Sequence, residues 1–198
     1  MSWFRRTPLE GARWVVIDCE TSGLDAARDR LLSVGAVAVK DGGVELQQFF
    51  QERIRQGTPS SRENILIHGI GADAQRDGRP LAEVIDALGR FIDRGLPVAF
   101  HAPFDAAVLR RHGLAPREKW LDLAALAPAL FPQKGRPDSP LEHWLAAFGI
   151  AARARHDALG DAFATAQLLL VALSEARRQR VASVEELRQA ATSRFLRP

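Results

Sequence analysis

The stretch Val15-Val16-Ile17-Asp18-Cys19-Glu20-Thr21-Ser22-Gly23-Leu24 constrains this chain more than any other. It opens as an apolar, β-branched run, the mark of a buried strand. Two carboxylates then follow, two positions apart. Side chains alternate along a strand, so Asp18 and Glu20 leave from one face, and Val15, Ile17 and Cys19 from the other. Two ionised carboxylates side by side at the end of a core strand repel each other and lose hydration. A cation between them relieves that cost, and hard oxygen ligands of this kind suit Mg²⁺ or Mn²⁺. An arbitrary D-x-E is most often a pair of solvated acids in a turn. Here the acids follow the apolar run directly and Thr21-Ser22-Gly23 makes the turn after them, which favours a site.

The 198 residues suit one domain with a sizeable core. A single cysteine excludes a disulfide framework and any Cys-based zinc cage. Residues 1–12 read as a polar lead-in rather than a signal peptide, and no apolar run reads as long enough to span a bilayer. A cytoplasmic location and no membrane partner are the expectation. The formal net charge of +3 permits a nucleic-acid partner without demanding one.

In chain order, strands are expected over 13–19, 31–39 and 44–51. Gly35 allows a close backbone approach in the second, and Lys40-Asp41-Gly42-Gly43 is a hairpin turn before the third. Ser60 to Glu63 could open a short helix. Leu81, Val84, Ile85, Leu88, Phe91 and Ile92 recur at helical spacing, so an amphipathic helix covers 80–93. A short strand follows at 97–100, then a helix over 104–113 and a short strand near 120–123. The proline-rich 128–140 region reads as loop. Ser139-Pro140-Leu141-Glu142 reads as a helix start with Ser139 as cap. A long helix runs from 157 to 178 with Ala162, Ala166, Leu169 and Leu173 inward, and a short helix lies near 183–192. The expected fold class is α/β: a mixed five-stranded sheet, three strands antiparallel plus two more, with helices on both faces. Residues 13–176 form the domain, and 177–198 a basic C-terminal tail.

Further acids sit where open α/β sheets place their sites, at strand ends and helix starts. Asp105 stands at a strand-to-helix junction after Phe104, and Asp161 in the first turns of the long helix, among small residues that let it approach the sheet. His156 precedes Asp161 by five residues, so the two converge only if His156 lies on the loop before the helix, where its pKa near 6.5 suits a general base. Singly, each has an ordinary explanation: Asp105 and Asp157 as helix caps, Asp161 as a first-turn carboxylate, His156 as a surface residue.

Together, Asp18-x-Glu20, Phe104-Asp105 and His156-x₄-Asp161 resemble the DEDDh family of 3′→5′ exonucleases, which includes the epsilon proofreading subunit of bacterial DNA polymerase III. His68-Gly69-Ile70 resembles a signature between the first two motifs. The sister branch uses tyrosine as base, and this chain has none. The resemblance implies a ribonuclease H-like fold and two divalent cations, Mg²⁺ or Mn²⁺, about 3.5–4 Å apart. It implies that Asp18, Glu20 and Asp161 ligate the first ion, that Asp18 bridges to the second and that Asp105 acts largely through metal-bound water. His156 would take a proton from the attacking water. Thr21 and Leu24 would lie against the terminal nucleotide, with His68, His101 and Phe104 as further wall residues, though packing suits Phe104 and a core position suits His101 better. His101 stands where the family usually has asparagine, and Cys19, where threonine is commoner, should point away from the site.

The activity so implied is exonuclease action on single-stranded DNA ends, with a DNA polymerase as an allowed partner. Alternatives are an exoribonuclease trimming RNA ends or short oligonucleotides, and a non-catalytic nucleic-acid or polymerase-binding module. The oligomeric state is left open.

Overall fold

The computed structural model describes residues 7–151 and 157–193. Its sheet holds β1 (Trp14–Thr21), β2 (Leu31–Lys40), β3 (Gly43–Arg53), β4 (Leu96–Ala99) and β5 (Leu121–Asp122), in the order β3-β2-β1-β4-β5. The first three strands form an antiparallel meander, and β4 and β5 run parallel to β1. The β2–β3 turn has Asp41 at φ 50° and Gly42 at φ 79°, two positive values in a row, as a tight hairpin in a right-twisted sheet requires. After β3 the chain passes through α1 (Arg62–His68), α2 (Ala72–Arg76) and α3 (Leu81–Ile92), the long crossover a parallel neighbour needs.

Alternation along β1 divides the core in two. Trp14 and Val16 join a cluster with Val37 and Val39, covered by α5 (Leu123–Leu130), α6 (Leu141–Ala147), α7 (Ala158–Arg178) and α8 (Val184–Ser193). Val15 and Ile17 join the opposite cluster, beneath α3 and α4 (Ala102–Arg111). The expected mixed sheet with helices on both faces is the observed architecture.

Two expectations about helix boundaries need correcting. Helix α5 was not foreseen, and it runs into the segment read as loop. Its Pro128 lies inside the helix, where a missing N–H costs one backbone bond. The helix holds because the Asp122 side chain caps Ala124 N–H and because Leu123, Leu126, Ala127 and Leu130 are all buried. Ser139 does not cap α6. Pro140 takes the cap position, and Ser139 Oγ accepts from Arg136 N–H at 2.9 Å, tightening the turn before it.

Helix α7 is long and apolar enough to cross a membrane by length and composition, which the sequence reading missed. Within this fold 56% of its most apolar window is buried, against β1 and β2. The described part of the lead-in meets the C-terminal segment. Pro8 bridges Ser183, Val184 N–H donates to the Thr7 carbonyl at 2.9 Å, and Thr7 N–H donates to Glu185 Oε2 at 3.0 Å.

Candidate active site

The site is built where β1 ends and α7 begins. In the β1–β2 register Asp18 faces Gly35 and Glu20 faces Ser33. A Cβ on Gly35 would lie 2.2 Å from the backbone of Ala158 and Leu159, so the missing side chain lets the first turn of α7 rest directly on the sheet. Asp157 caps that turn by accepting from Gly160 N–H at 3.0 Å, and Gln51 Nε2 of β3 donates to Asp157 Oδ1 at 3.3 Å. Ala158, Ala162 and Ala166 are buried against the strands, which keeps the approach close along α7. One turn in, Asp161 is 6% exposed. Its carboxylate and those of Asp18 and Glu20 offer oxygens that all lie within 4.8 Å of one another.

Three carboxylates so close cannot all stay ionised cheaply. At an effective dielectric constant of 20, two unit charges at this separation repel by roughly 3 kcal/mol. Protonation or a cation removes that cost, and only the cation keeps all three oxygens as ligands. The donor set is hard oxygen throughout, and Asp18 and Glu20 are half-buried rather than sealed in the core. These residues fit a divalent cation.

Asp105 belongs to the same strand end but not to this cluster. It sits in the first turn of α4, on the opposite side of the sheet from α7, and is 4% exposed. The thiol and the backbone N–H of Cys19 hydrogen-bond to its carboxylate. Cys19 leaves β1 away from Asp18 and Glu20, as alternation predicts, and on that side it meets Asp105, a residue that only the family resemblance puts in the site. Burial pushes the Asp105 carboxyl up to about 7, against the opposing pull of its hydrogen bonds. Burial, then the Asp105 charge, pushes the Cys19 thiol up, so the thiol keeps its proton and donates it.

The start of α4 explains His101. Its backbone is left-handed, φ 64° and ψ 47°, a conformation that asparagine tolerates better than most residues. It is exposed, with its ring edge-on to Phe100 at 4.8 Å, and is not the core histidine expected. The next residue, Ala102, donates its N–H to Asp122 Oδ1 at 3.2 Å, tying the helix to β5. Phe104 packs against the cluster under α3 and α4.

His68 is not a wall residue in this structure. It is buried; its Nδ1 accepts from Ile70 N–H at 3.0 Å, so its Nε2–H faces Ser60 Oγ at 3.1 Å. Gln75 closes the network by accepting from Ser60 N–H and donating to Ser60 Oγ and the Ile70 carbonyl, each at 2.8 Å. Burial pulls the imidazole below its ordinary value, and the Ile70 bond needs the neutral ring.

Thr21 ends β1, its hydroxyl donating to the Gly23 carbonyl, and Leu24 stands 93% exposed on the turn that follows. Asp29, which the sequence reading passed over as loop, braces this turn. Its side chain accepts from Ser22 Oγ at 2.9 Å and from Asp25 N–H at 2.8 Å, and a Cβ on Gly23 would strike it at 2.5 Å. Asn64 of α1 donates to the Ser22 carbonyl from the other side. The signal available was a serine–glycine turn followed by aspartates at positions 25 and 29. His156 lies outside the described residues.

A family model described as an exonuclease matches residues 15–169. The chain belongs to that exonuclease family. Among its relatives, a DNA polymerase III subunit epsilon-like protein of Rhodobacter capsulatus is 32% identical over 170 residues, covering 83% of this chain and 24% of that protein. A PolC-type DNA polymerase III of Thermotoga petrophila is 32% identical over 168 residues, covering 82% of this chain and 12% of that protein. The chain therefore spans a quarter or less of these two relatives. Exonuclease X solved with 5′ overhanging duplex DNA superimposes with a TM-score of 0.70 at 22% identity, over 90% of this chain and 99% of that one. E. coli exonuclease I with a dT13 oligonucleotide gives 0.70 at 20% identity, over 85% and 42%. Similarity at that level establishes the shared fold, and the exonuclease resemblance read from the motifs is borne out by the family match.

Proposed function

We propose that this chain is a metal-dependent 3′→5′ exonuclease that releases nucleotides from the 3′ ends of single-stranded DNA. The observation that carries the reading is the convergence of Asp18, Glu20 and Asp161 within 4.8 Å in an exonuclease-family fold. These three carboxylates would hold a divalent cation, Mg²⁺ or Mn²⁺, with Asp18 shared with a second. Bound ions of this kind neutralise charge on the phosphate and on the departing 3′ oxygen. Asp105 would orient water at the same strand end, and His156 would take the proton of the attacking water. Thr21 and Leu24 would meet the terminal nucleotide, held by the braced turn. Such chemistry is mainly positioning and electrostatics, which is why the close α7–β2 packing at Gly35 matters.

DNA is preferred over RNA because the relatives are named for DNA polymerase III and the solved neighbours hold DNA. The same names support a DNA polymerase as partner. The test is a gel of 5′-labelled DNA and RNA of one sequence, incubated with the protein in Mg²⁺ or in chelator. A ladder that shortens the DNA stepwise, and disappears in chelator, is expected. Faster shortening of RNA would transfer the activity to RNA ends, and no shortening of either would overturn it.

A further inference from the structure

Asp18, Gly35 and Gln51 stand in one row across β1, β2 and β3. Residues directly opposite in an antiparallel pair share a face, so the row faces α7. Phe50 fixes the side for β3. It is buried in the cluster beneath α3 and α4, and the next residue along a strand turns the other way. Each member of the row meets something different. Asp18 joins the carboxylate cluster. Gly35 leaves its space to the backbone of Ala158 and Leu159. Gln51 reaches Asp157, the residue that caps α7. Asp157 is tied to the helix by its Oδ2, which accepts from Gly160 N–H at 3.0 Å, and by its carbonyl, which accepts from Asp161 N–H at 2.9 Å. Its remaining oxygen, Oδ1, accepts from Gln51 Nε2 at 3.3 Å.

We infer that Gln51 is a positioning residue for the cation site, acting through Asp157 on Asp161. The carboxylate cluster draws its oxygens from two elements, Asp18 and Glu20 from β1 and Asp161 from α7. A cation held between two elements is held only as firmly as they are fixed to each other. Packing at Gly35 sets how near the helix comes, but a contact of this kind has no direction, and a helix that turns slightly about its axis keeps it. The Gln51 bond has direction, and a carboxylate acceptor strengthens it. It pins the cap of α7 to β3, and the cap carries the Asp161 N–H one turn on. Asp161 is thereby presented to Asp18 and Glu20 at one rotation of the helix. This inference rests on the cation reading of the cluster, and assigns part of its affinity to a strand that supplies none of the three clustered acids.

The test is Gln51→Leu, which removes the donor and keeps much of the size. Mn²⁺ binding by calorimetry should weaken about fivefold, while the urea midpoint stays near the native one because Gln51 is exposed. In chelator, the Asp161 amide should exchange faster than in the native protein. Asp157→Ser keeps a capping oxygen and has none left for Gln51, so adding Gln51→Leu to it should change Mn²⁺ binding no further. Gln51→Glu together with Asp157→Asn reverses the bond at constant net charge, with the amide donating from the helix side. That pair should bring Mn²⁺ affinity back to within about twofold of native. Native affinity in Gln51→Leu, or the same loss with Asp157 and with serine in its place, would overturn the inference. Unchanged Asp161 exchange would overturn it whatever the metal does. A native protein that binds no Mn²⁺, yet shows the faster exchange in Gln51→Leu, would sink the cation reading and leave the link from Gln51 to Asp161 standing.

Discussion

On the α7 side of β1, three carboxylates lie within 4.8 Å of one another and two are half exposed; on the α4 side, a single carboxylate is buried against a thiol. The same strand end thus presents acids in two electrostatic states. The clustered side gathers carboxylate oxygens that suit a cation. The α4 side meets burial by retaining a proton near neutral pH, with the carboxyl pushed up to about 7. A strand with alternating side chains sorts its neighbours this way automatically, because positions 18 and 20 serve one face and position 19 the other.

Removing a ligand from the clustered side tests the comparison hardest. Asp161→Ala should lower the exonuclease rate on the order of 10³-fold while leaving circular dichroism unchanged, and native turnover in that variant would break the site assignment. His156→Ala should slow turnover by about 10²-fold or more, yet leave Mn²⁺ binding by calorimetry as in the native protein, because in the proposed site the carboxylates alone would hold the cation. Gly35→Ala separates packing from chemistry. The added methyl meets the α7 backbone at 2.2 Å, so urea unfolding should show a loss of about 1–3 kcal/mol together with weaker Mn²⁺ binding.

The smallest effect sharpens the α4 side. A carboxyl whose folded pKa lies above its unfolded value costs stability as pH rises through the interval between them. In chelator, that cost is absent below about 4 and full above about 7. The melting temperature of the native protein should therefore fall relative to Asp105→Asn between those limits, by a few degrees. Parallel melting curves would show that Asp105 is ionised and solvated, and erase the contrast between the two sides.

The clustered side was legible in the sequence because it follows from periodicity. Asp18 and Glu20 share a face by spacing, and small residues around Asp161 announce a helix that presses on a sheet. The matching Gly35 was readable for the same reason. The α4 side was not, because Cys19 meets Asp105 across 86 positions of sequence and no local pattern encodes that contact. His68 misled in a related way: its place in the His68-Gly69-Ile70 motif suggested a wall residue of the site, whereas its partners Ser60 and Gln75 show a buried network. Helix α5 was hidden by Pro128, whose local penalty is outweighed by burial that only the tertiary fold supplies.

The pairing of Thr7 with Glu185 spans 178 positions. Closing so long a loop in an open chain costs about 5 kcal/mol of entropy, and one bridge returns far less. Once the sheet has gathered both ends that cost has already been met, so the clasp is a late event in folding and an early one in unfolding. The segments around Thr7 and Glu185 therefore serve as a gauge: protease sensitivity or amide exchange there rises before the strands that carry the acids loosen.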